Sequence, residues 1–520
     1  MTWLFLMLRT VAHLKIKQIV YQLFYRYHRP RFSYLTAKGM PLHYVKTIEK
    51  FHCCNGETFK FLNVSASFND WNDVKHGMLW AYNLNYMDWL LQEYMTYEEG
   101  AEWIDRFIDD LPNNRVGLDP YPIALRGTNW IKFISIHRES IDKYHCQRWN
   151  DSLYSQYVLL TKKLEYHLMG NHLLEDAFSL FIASSYFNRA DWYKKYSGLL
   201  KRELEEQILP DGAHYEQSPM YHCILLDRLL DCCNLSFHNI LFENQTEYNS
   251  FLRKKAIEML GHLESITYRD GSIPLLNDSA NGIAPTPAKL KEYAQRLGLV
   301  WTAIPMKQCG YRKLNTEQIE VVVDIGNITA SYQPGHTHAD TFTYEMRIAG
   351  KPFVVDTGVS TYEKNFRRQY ERSSAAHNNV TVNGKNSSEV WGGFRVGKRA
   401  KVKLFADSNN FVEAMHNGYT VPCYRLFSLS KGTFVIQDKI DIPAVSYIHL
   451  APDVKILSVS KNKIQTDRAV IAIEGTEIID VVVNKGKVST QYNDFQDNSI
   501  IEIHFSKVMY YKITPNQSFL

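Results

Sequence analysis

Long apolar runs are missing from this sequence of 520 residues. No uninterrupted stretch approaches the ~20 apolar residues that a membrane-spanning helix needs, so no integral membrane segment is predicted. The apolar run at residues 3–8 is ended by Arg9, no basic residue precedes it, and no small-residue cleavage site follows promptly. A secretory signal therefore has weak support. An amphipathic first helix is predicted instead, with Leu14, Ile16, Ile19, Val20 and Leu23 on or near one face.

Cysteine pairs of the C-x-x-C type are absent as well, because the eight cysteines are scattered along the chain. This argues against a zinc site made of thiolates, and in so long a chain the cysteines do not define a disulfide framework. The net charge is only +4, with both signs mixed through the two halves. Such a balance does not indicate a nucleic-acid-binding protein. Tandem repeats and low-complexity tracts are also missing.

The composition that remains, 45% hydrophobic and 22% charged, is typical of a globular protein, and the length predicts at least two domains. Aromatic residues reach 13%. They indicate either a large aromatic core or a carbohydrate enzyme, since Tyr and Trp present flat apolar faces with a polar edge that suit sugar rings.

The hydrophobic pattern divides the chain near residue 310. Up to about residue 300 the apolar positions recur mainly at helical spacing with short polar breaks, which predicts stacked antiparallel helix pairs. From residue 318 they alternate between turn signals, which predicts an antiparallel β-sandwich. We therefore predict an N-terminal helix with a small α/β extension at 1–75, a helical domain at 76–310 and a sheet domain at 311–520.

Three histidines in the predicted sheet domain lie close to carboxylates. A single residue separates His336 from His338, so on a strand both would face the same side. Asp356 ends a strand that should form a hairpin with residues 341–348 and return toward His338, and His377 follows a polar loop. Two imidazoles and a carboxylate are good zinc ligands. A hydrogen-bonded polar cluster fits the spacing equally well.

Two further clusters lie at predicted helix starts. Asn171, His172 and Glu175 would be neighbours near one N-terminus, as substrate groups or as a cap with a surface pair. Ser218 and Pro219 suit a cap and a first helical position, which places Tyr221 in the first turn. Tyr221 could transfer a proton if nearby positive charge lowered its pKa, although an ordinary loop is the competing interpretation.

A third helix start contains Arg126, Asn129 and Trp130. A guanidinium can bind a carboxylate or sulfate through paired hydrogen bonds, and an indole can stack on a sugar. Core packing explains the tryptophan equally well.

Taken in order, several of these segments resemble the heparinase II/III-like family of bacterial polysaccharide lyases; they are residues 79–90, 121–130, 171–175, 211–222, 336–340, 353–358 and 372–380. The resemblance implies an incomplete (α/α) toroid followed by an antiparallel β-sandwich. It also implies cleavage of a uronic-acid-containing acidic polysaccharide by β-elimination. That reaction must neutralise the C5 carboxylate, remove the C5 proton and protonate the departing O4 oxygen.

By this resemblance Tyr221 and His336 are expected to be catalytic, with Asn171 or His172, together with Glu175, at the carboxylate. A structural zinc ion is expected on His338, Asp356 and His377, where it would hold the neighbouring His336 in place. The residues expected to bind substrate are Asn83, Tyr86, Arg126, Asn129, Trp130, His222 and Arg372.

The expected partner is an acidic polysaccharide. The resemblance places the protein in the bacterial periplasm or cell envelope, while the lack of a clear signal also allows the cytoplasm. Two alternatives stay open at this point. One is a non-catalytic carbohydrate-binding or polysaccharide-assembly protein on the same scaffold. The other is a metal-dependent hydrolase that uses His336, His338, Asp356 and His377 at zinc.

Overall fold

The computed structural model describes residues 2–51, 53–475 and 477–519. The helices dominate the first three hundred residues. They are α1 (Thr2–Val11), α2 (Ile16–Tyr27), α3 (Met78–Tyr86), α4 (Tyr97–Asp110), α5 (Pro120–Ile136), α6 (Lys143–Lys162), α7 (Gly170–Tyr186), α8 (Ala190–Gln207), α9 (Pro219–His238), α10 (Gln245–Ile266), α11 (Pro287–Arg296) and, within the sheet region, the short α12 (Phe366–Glu371).

Local sequence signals explain where several of these helices begin. Thr96 accepts a hydrogen bond from the backbone of Glu99, whose carboxylate returns to the Thr96 backbone, so a capping box starts α4. Ser218 caps α9 through the backbone N–H of Tyr221, and Pro219 occupies the first helical position. The predicted cap of α9 is therefore present, and it fixes Tyr221 in the first turn.

Antiparallel helix pairs form the larger core. Helix α7 packs against α5, α8 and α9, and is buried over nearly its whole length. A three-stranded sheet, made of β1 (Cys54–Asn55), β2 (Thr58–Phe61) and β3 (Val64–Ser67), adds Phe59 and Phe61 to the same core. Because α7 is enclosed by neighbours, its solvent-accessible surface is confined to its N-terminal end.

The strands of the second half form two main sheets. The first has the order β4-β5-β6-β7 and the second β11-β12-β13-β14-β19-β17-β16-β15, with β8 paired to β14 and β18 to β19. The bounds are β4 (Tyr311–Asn315), β5 (Ile319–Asp324), β6 (Tyr344–Ile348), β7 (Lys351–Val354), β8 (Val380–Thr381), β9 (Val390–Trp391), β10 (Arg395–Val396), β11 (Val402–Ser408), β12 (Phe411–His416), β13 (Cys423–Ser430), β14 (Thr433–His449), β15 (Ile456–Ser460), β16 (Lys463–Thr466), β17 (Ala469–Gly475), β18 (Ile478–Val488) and β19 (Gln496–Pro515).

The two sheets enclose a common apolar core. Val321 and Met346 of the four-stranded sheet belong to the same buried cluster as Ile436 and Ile503 of the larger sheet. Side chains on β14 alternate between buried and exposed, as expected for a sheet with one face against the core. The predicted order of helices followed by an antiparallel β-sandwich is confirmed.

The N-terminal region differs from the prediction of one amphipathic helix. Two helices form, α1 and α2, separated by a turn at residues 12–15. Within the described parts of the chain, none of the helices combines the length and the apolar character required to cross a bilayer.

Candidate active site

A deep cleft opens where the helical region meets the sheet region. Its volume is about 820 Å³, and its walls come from both halves of the chain. Asn171 and Glu175 of α7 and Tyr221 of α9 line one side, while His336 and Tyr362 line the other. The cleft therefore brings together residues that are widely separated in sequence.

The N-terminus of α7 is shaped by a glycine. Gly170 has φ +58°, and a Cβ atom there would lie 2.4 Å from Glu216 Oε1. The following Asn171 donates to both Glu216 oxygens, from its backbone N–H and from Nδ2, each at 2.8 Å. Asn171 Nδ2 also lies 3.3 Å from His336 Nε2. The glycine thus permits the close contact that aims the Asn171 amide at the histidine.

Tyr221 and His336 stack against each other in the cleft. Their ring centroids are 3.9 Å apart and their planes are inclined by 28°. The Tyr221 hydroxyl lies 3.4 Å from that of Tyr362. Burial raises the pKa of Tyr221, and the nearby Asp278 and Glu216 raise it further. The lowered pKa considered from the sequence is not found, so Tyr221 retains its proton at neutral pH.

Asp278, which lies in the loop between α10 and α11, joins the two histidines of the 334–340 segment. One carboxylate oxygen lies 2.9 Å from His336 Nδ1 and the other 2.8 Å from His338 Nε2. The two histidines lie in an irregular loop. The prediction that a strand places them on one face is therefore wrong, and a shared carboxylate brings the two rings together instead.

Arg368 completes this buried cluster with a forked ion pair to Asp278, in which Nη2 lies 2.7 Å from one carboxylate oxygen and Nη1 contacts the other. Burial alone would raise the pKa of Asp278. The guanidinium and the two histidine hydrogen bonds outweigh that effect and hold this pKa well below its usual range. Asp278 is therefore a permanent anion that fixes both histidine rings.

The other predicted carboxylate-binding groups on α7 are His172, which follows Asn171 directly, and Glu175, which lies one helical turn farther along. His172 Nδ1 lies 3.1 Å from Glu165 Oε2. Burial would lower the pKa of His172, but the Glu165 charge outweighs it and raises this pKa. Glu175 lies 3.5 Å from Arg228 Nε, and burial raises the pKa of Glu175 to about 7. Both residues line the cleft beside Asn171.

Three of the predicted substrate-binding residues also line the cleft: Asn83, Tyr86 and Asn129. Asn129 donates to the backbone oxygen of Tyr86, and its own Oδ1 lacks a partner among the described groups. The ring of Tyr121 packs against His172. This wall offers the aromatic faces and amide groups that commonly hold sugars.

Four predicted substrate-binding residues do not reach the cleft, and these predictions are corrected. Arg126 is fully buried against Gln156 and backbone oxygens, so its donors are already used. Trp130 is enclosed in the helical core. The remaining two are tied to backbone oxygens, His222 to Met259 and Arg372 to Thr337.

The predicted metal ligands lie behind the cleft and are buried. His338 Nδ1 and His377 Nε2 have no hydrogen-bond partner in the described part of the chain. The opposite nitrogen of each ring contacts a carboxylate, Asp278 for His338 and Asp356, at 2.6 Å, for His377. Asp356 thus orients His377, and the three residues do not present three ligand atoms at one point.

The described residues contain one compact group of three possible ligand atoms, and it lies elsewhere. Asp211, His262 and Cys309 place such atoms within 4.8 Å of one another. Asp211 accepts hydrogen bonds from the backbone N–H groups of Lys307 and Cys309, which anchors the chain at the start of the sheet region.

Sequence reasoning missed three residues of the site: Asp278, Glu216 and Arg368. Each is buried and charged. The signal available for Asp278 was the polar run 277–279, which follows an apolar segment shortly before the helical pattern ends. A buried charge requires a hydrogen-bonding or charged partner. The sequence could not show that the partners of Asp278 would be His336 and His338.

Comparison with known families gives a match to each of the two regions of the chain. Residues 133–297 match the family described as heparinase II/III N-terminus, and residues 300–514 match heparinase II/III-like, C-terminal. The chain belongs to the heparinase II/III-like family. The two matched segments meet near residue 300, where the helical region gives way to the sheets.

Two curated relatives, both named heparin-sulfate lyase, come from Bacteroides species. The protein from Bacteroides stercoris is 23% identical over 259 residues, which are 43% of this chain and 37% of the relative. The protein from Bacteroides thetaiotaomicron is 25% identical over 321 residues, 53% of this chain and 44% of the relative. The chain thus aligns with less than half the length of each.

Among solved structures, the heparan sulfate lyase from Pedobacter heparinus is similar to this chain. It superposes with a TM-score of 0.58 at 18% identity, over 88% of this chain and 81% of that one. At this identity the likeness shows the fold. The predicted toroid followed by an antiparallel β-sandwich is confirmed.

Proposed function

We propose that this protein is a polysaccharide lyase that cleaves a uronic-acid-containing glycosaminoglycan by β-elimination. The observation that carries the proposal is the meeting of Tyr221, His336 and Asn171 in one cleft. The curated relatives, which are named heparin-sulfate lyases, make heparan-type chains the first substrates to test.

His336 is suited to accept the C5 proton. Its Nδ1 faces the Asp278 carboxylate, which requires an N–H on that nitrogen and leaves the lone pair on Nε2. Nε2 also lies 3.3 Å from the Asn171 amide, which is a donor. In this tautomer Nε2, which also lies 3.5 Å from Glu216 Oε2, is the ring nitrogen at the cleft wall that can take up a proton.

Tyr221 is suited to donate a proton to the departing O4 oxygen. Burial holds its pKa above the ordinary value, so the phenol is protonated at neutral pH. Its ring stacks on His336, which places proton acceptor and proton donor on the same side of a bound sugar.

Asn171 is the better placed of the two candidates for the C5 carboxylate. Its Nδ2 lies beside His336 Nε2, whereas the His172 ring is oriented by Glu165. A carboxylate held by the amide would place the adjacent C5–H near the histidine, and the amide would strengthen its hydrogen bond as negative charge develops on that group. Glu175, with a pKa of about 7, would share a proton with the bound carboxylate below that pH.

A divalent cation, with zinc the first candidate, is proposed at His338 and His377. The support is chemical: each ring has one buried nitrogen without a partner and one held by a carboxylate, an arrangement that orients histidine ligands around metals. Asp356, which lies 2.6 Å from His377 Nδ1, would orient that ligand. Bound there, the ion would supply rigidity to the loop that carries His336. Neither histidine lines the cleft, which disfavours a hydrolase whose metal activates water.

The deciding experiment incubates the purified chain with heparan sulfate, heparin and chondroitin sulfate while the ultraviolet absorbance of the unsaturated uronate is recorded. We expect a rise with at least one glycan. Tyr221→Phe and His336→Ala should retain the fold and lose about 10²–10⁴-fold in kcat. Tyr510→Phe and His504→Ala, on β19 away from the cleft, are the matched controls. No unsaturated product from any uronate glycan, or full activity in both site variants, would defeat the proposal.

A further inference from the structure

The N-terminal helices present apolar side chains outward. On α1 the exposed apolar side chains that lie outside the cleft are Trp3, Leu4, Phe5 and Leu8, with Trp3 64% and Leu8 57% exposed. On α2 the exposed apolar side chains are Ile16, Ile19, Val20, Leu23, Phe24 and Tyr27, and Ile16 is 81% exposed. We call these ten residues the outer face. Apolar patches of this kind on a folded protein mark an interaction surface.

The outer face belongs to helices that are held against the body of the protein. Trp391 Nε1 donates to Thr10 on α1. Gln18 on α2 is buried and donates to the backbone oxygen of Leu168, and Tyr25 donates to that of Leu164. These polar side chains on the inner side of the two helices are therefore already hydrogen-bonded to the body of the protein. Leu4 and Leu8 on α1, and Ile16, Val20 and Leu23 on α2, recur at intervals of three or four residues on the side turned away.

This segment is also strongly cationic. Residues 1–48 contain eight lysines and arginines but no aspartate or glutamate, a bias that the nearly balanced composition of the whole chain conceals. Arg9 and Lys15 contact acidic residues of the body. Arg26, Arg29 and Arg31 are exposed, and no salt bridge to them occurs within the described residues. Any partner of the outer face must therefore tolerate, and preferably attract, positive charge.

We propose that α1 and α2 bind in the plane of an anionic lipid bilayer, with the outer face inserted among the acyl chains. Helices of this type combine a large apolar face with basic residues and lie in the interface without crossing it. Trp3 and Tyr27 are residue types that favour the level of the lipid headgroups. Arginines beside the apolar face meet the negative surface of such a membrane.

Charge argues against a second copy of this chain as the occupant. Symmetric pairing through the outer face would bring two segments without acidic residues together, and like charges opposite each other oppose association. A soluble polyanion would satisfy the arginines but would leave the apolar side chains in water. The bilayer satisfies both groups at once.

Membrane binding by these helices would also orient the cleft. Met7 and Thr10 of α1, Leu14 of the turn and Gln18 of α2 line it. The cleft mouth would therefore lie next to the lipid surface, where it meets glycans that are held near a membrane. The binding itself does not depend on lyase activity.

The test is flotation of the purified full chain with vesicles of phosphatidylcholine containing about 30 mol % phosphatidylglycerol, compared with vesicles of phosphatidylcholine alone. We expect the wild type to float with the anionic vesicles, and to do so less as salt is raised. The combined variant Leu4→Gln, Leu8→Gln, Val20→Gln and Leu23→Gln should lose at least about tenfold in partitioning. Glutamine keeps the helix propensity near that of leucine.

A matched control replaces exposed apolar residues elsewhere: Ile240→Gln, Val300→Gln and Leu457→Gln should float like the wild type. If the outer-face variant unfolds, the test passes to a second combined variant with Arg26→Gln, Arg29→Gln and Arg31→Gln. This arginine variant changes only exposed charges and should weaken binding to anionic vesicles alone. The proposal is overturned if the wild type floats with neither type of vesicle. It is also overturned if the outer-face variant floats as well as the wild type. Where that variant unfolds, the same result for the arginine variant overturns it. It is equally overturned if the outer-face variant only converts a dimer to a monomer in size-exclusion chromatography.

Discussion

Asp278 lies 2.9 Å from the Nδ1 atom of His336, although the two residues come from different halves of the fold. Its second oxygen meets His338, so one carboxylate links a histidine in the cleft to a histidine in the buried interior. This contact gives different surroundings to two histidines that are separated in sequence by a single residue. His336 lines the cleft, while His338 is buried behind it, and movement of either half of the fold would disturb both.

The first prediction separates Asn171 from His172 as the group that neutralises the carboxylate. Asn171→Ala should lower kcat by about 10²–10³-fold, because it removes a donor whose hydrogen bond strengthens as charge develops. His172→Ala should change kcat by less than about tenfold and act mainly on KM, because His172 is oriented by Glu165 and lies one residue farther along the wall.

Steady-state kinetics on one defined oligosaccharide would check this prediction, and thermal unfolding of each variant serves as the control. The opposite ranking, with His172→Ala the slower enzyme, would reassign the carboxylate to the imidazole.

The second prediction concerns Glu175, whose pKa is raised to about 7 by burial. A folded-state pKa above the unfolded value means that folding takes up a proton, so this contribution to stability is present at low pH and is lost as pH rises. The free energy of unfolding of the wild type minus that of Glu175→Gln should fall by about 2–3 kcal/mol between pH 4.5 and 7.5 and then level off. Urea denaturation at a series of pH values would measure it; a flat difference would contradict the assignment.

The sequence predicted the parts of the site that depend on local order. Ser218 and Pro219 fix the start of α9, and that alone places Tyr221 at a helix mouth. Helical and alternating periodicities likewise predict the two halves of the fold, because each reports which face of an element is buried.

The rest depended on long-range pairing. Arg126 and Arg372 look like substrate ligands in sequence, yet each satisfies backbone oxygens in the interior. Asp278 looks like a loop residue, yet it anchors His336. Local patterns reveal that a charged residue is present, but its partner is chosen by the packing of distant segments, and no spacing rule encodes that choice.

The third prediction tests the metal proposed at His338 and His377. Elemental analysis of the chain purified without chelator should find about one divalent ion per molecule, and His377→Ala should lose it, since that change removes one ligand. Chelation should lower the midpoint of thermal unfolding in the wild type but leave that of His377→Ala unchanged. His504→Ala is the control for loss of a histidine outside the cluster. A metal-free wild type with full stability would defeat the proposal.

The last prediction compares two glycines with similar backbone angles. Gly170 and Gly384 have φ +58° and +66°, so alanine at either position costs roughly 1–2 kcal/mol from backbone strain alone. At Gly384 the added Cβ meets nothing within 4 Å, whereas at Gly170 it would lie 2.4 Å from Glu216 Oε1. Gly170→Ala must therefore also displace the carboxylate that holds Asn171. Denaturant unfolding should show a larger loss of stability for Gly170→Ala than for Gly384→Ala. Steady-state kinetics should show a reduced kcat in Gly170→Ala only. Equal effects of the two substitutions would mean that the contact between Glu216 and Asn171 does not position the amide.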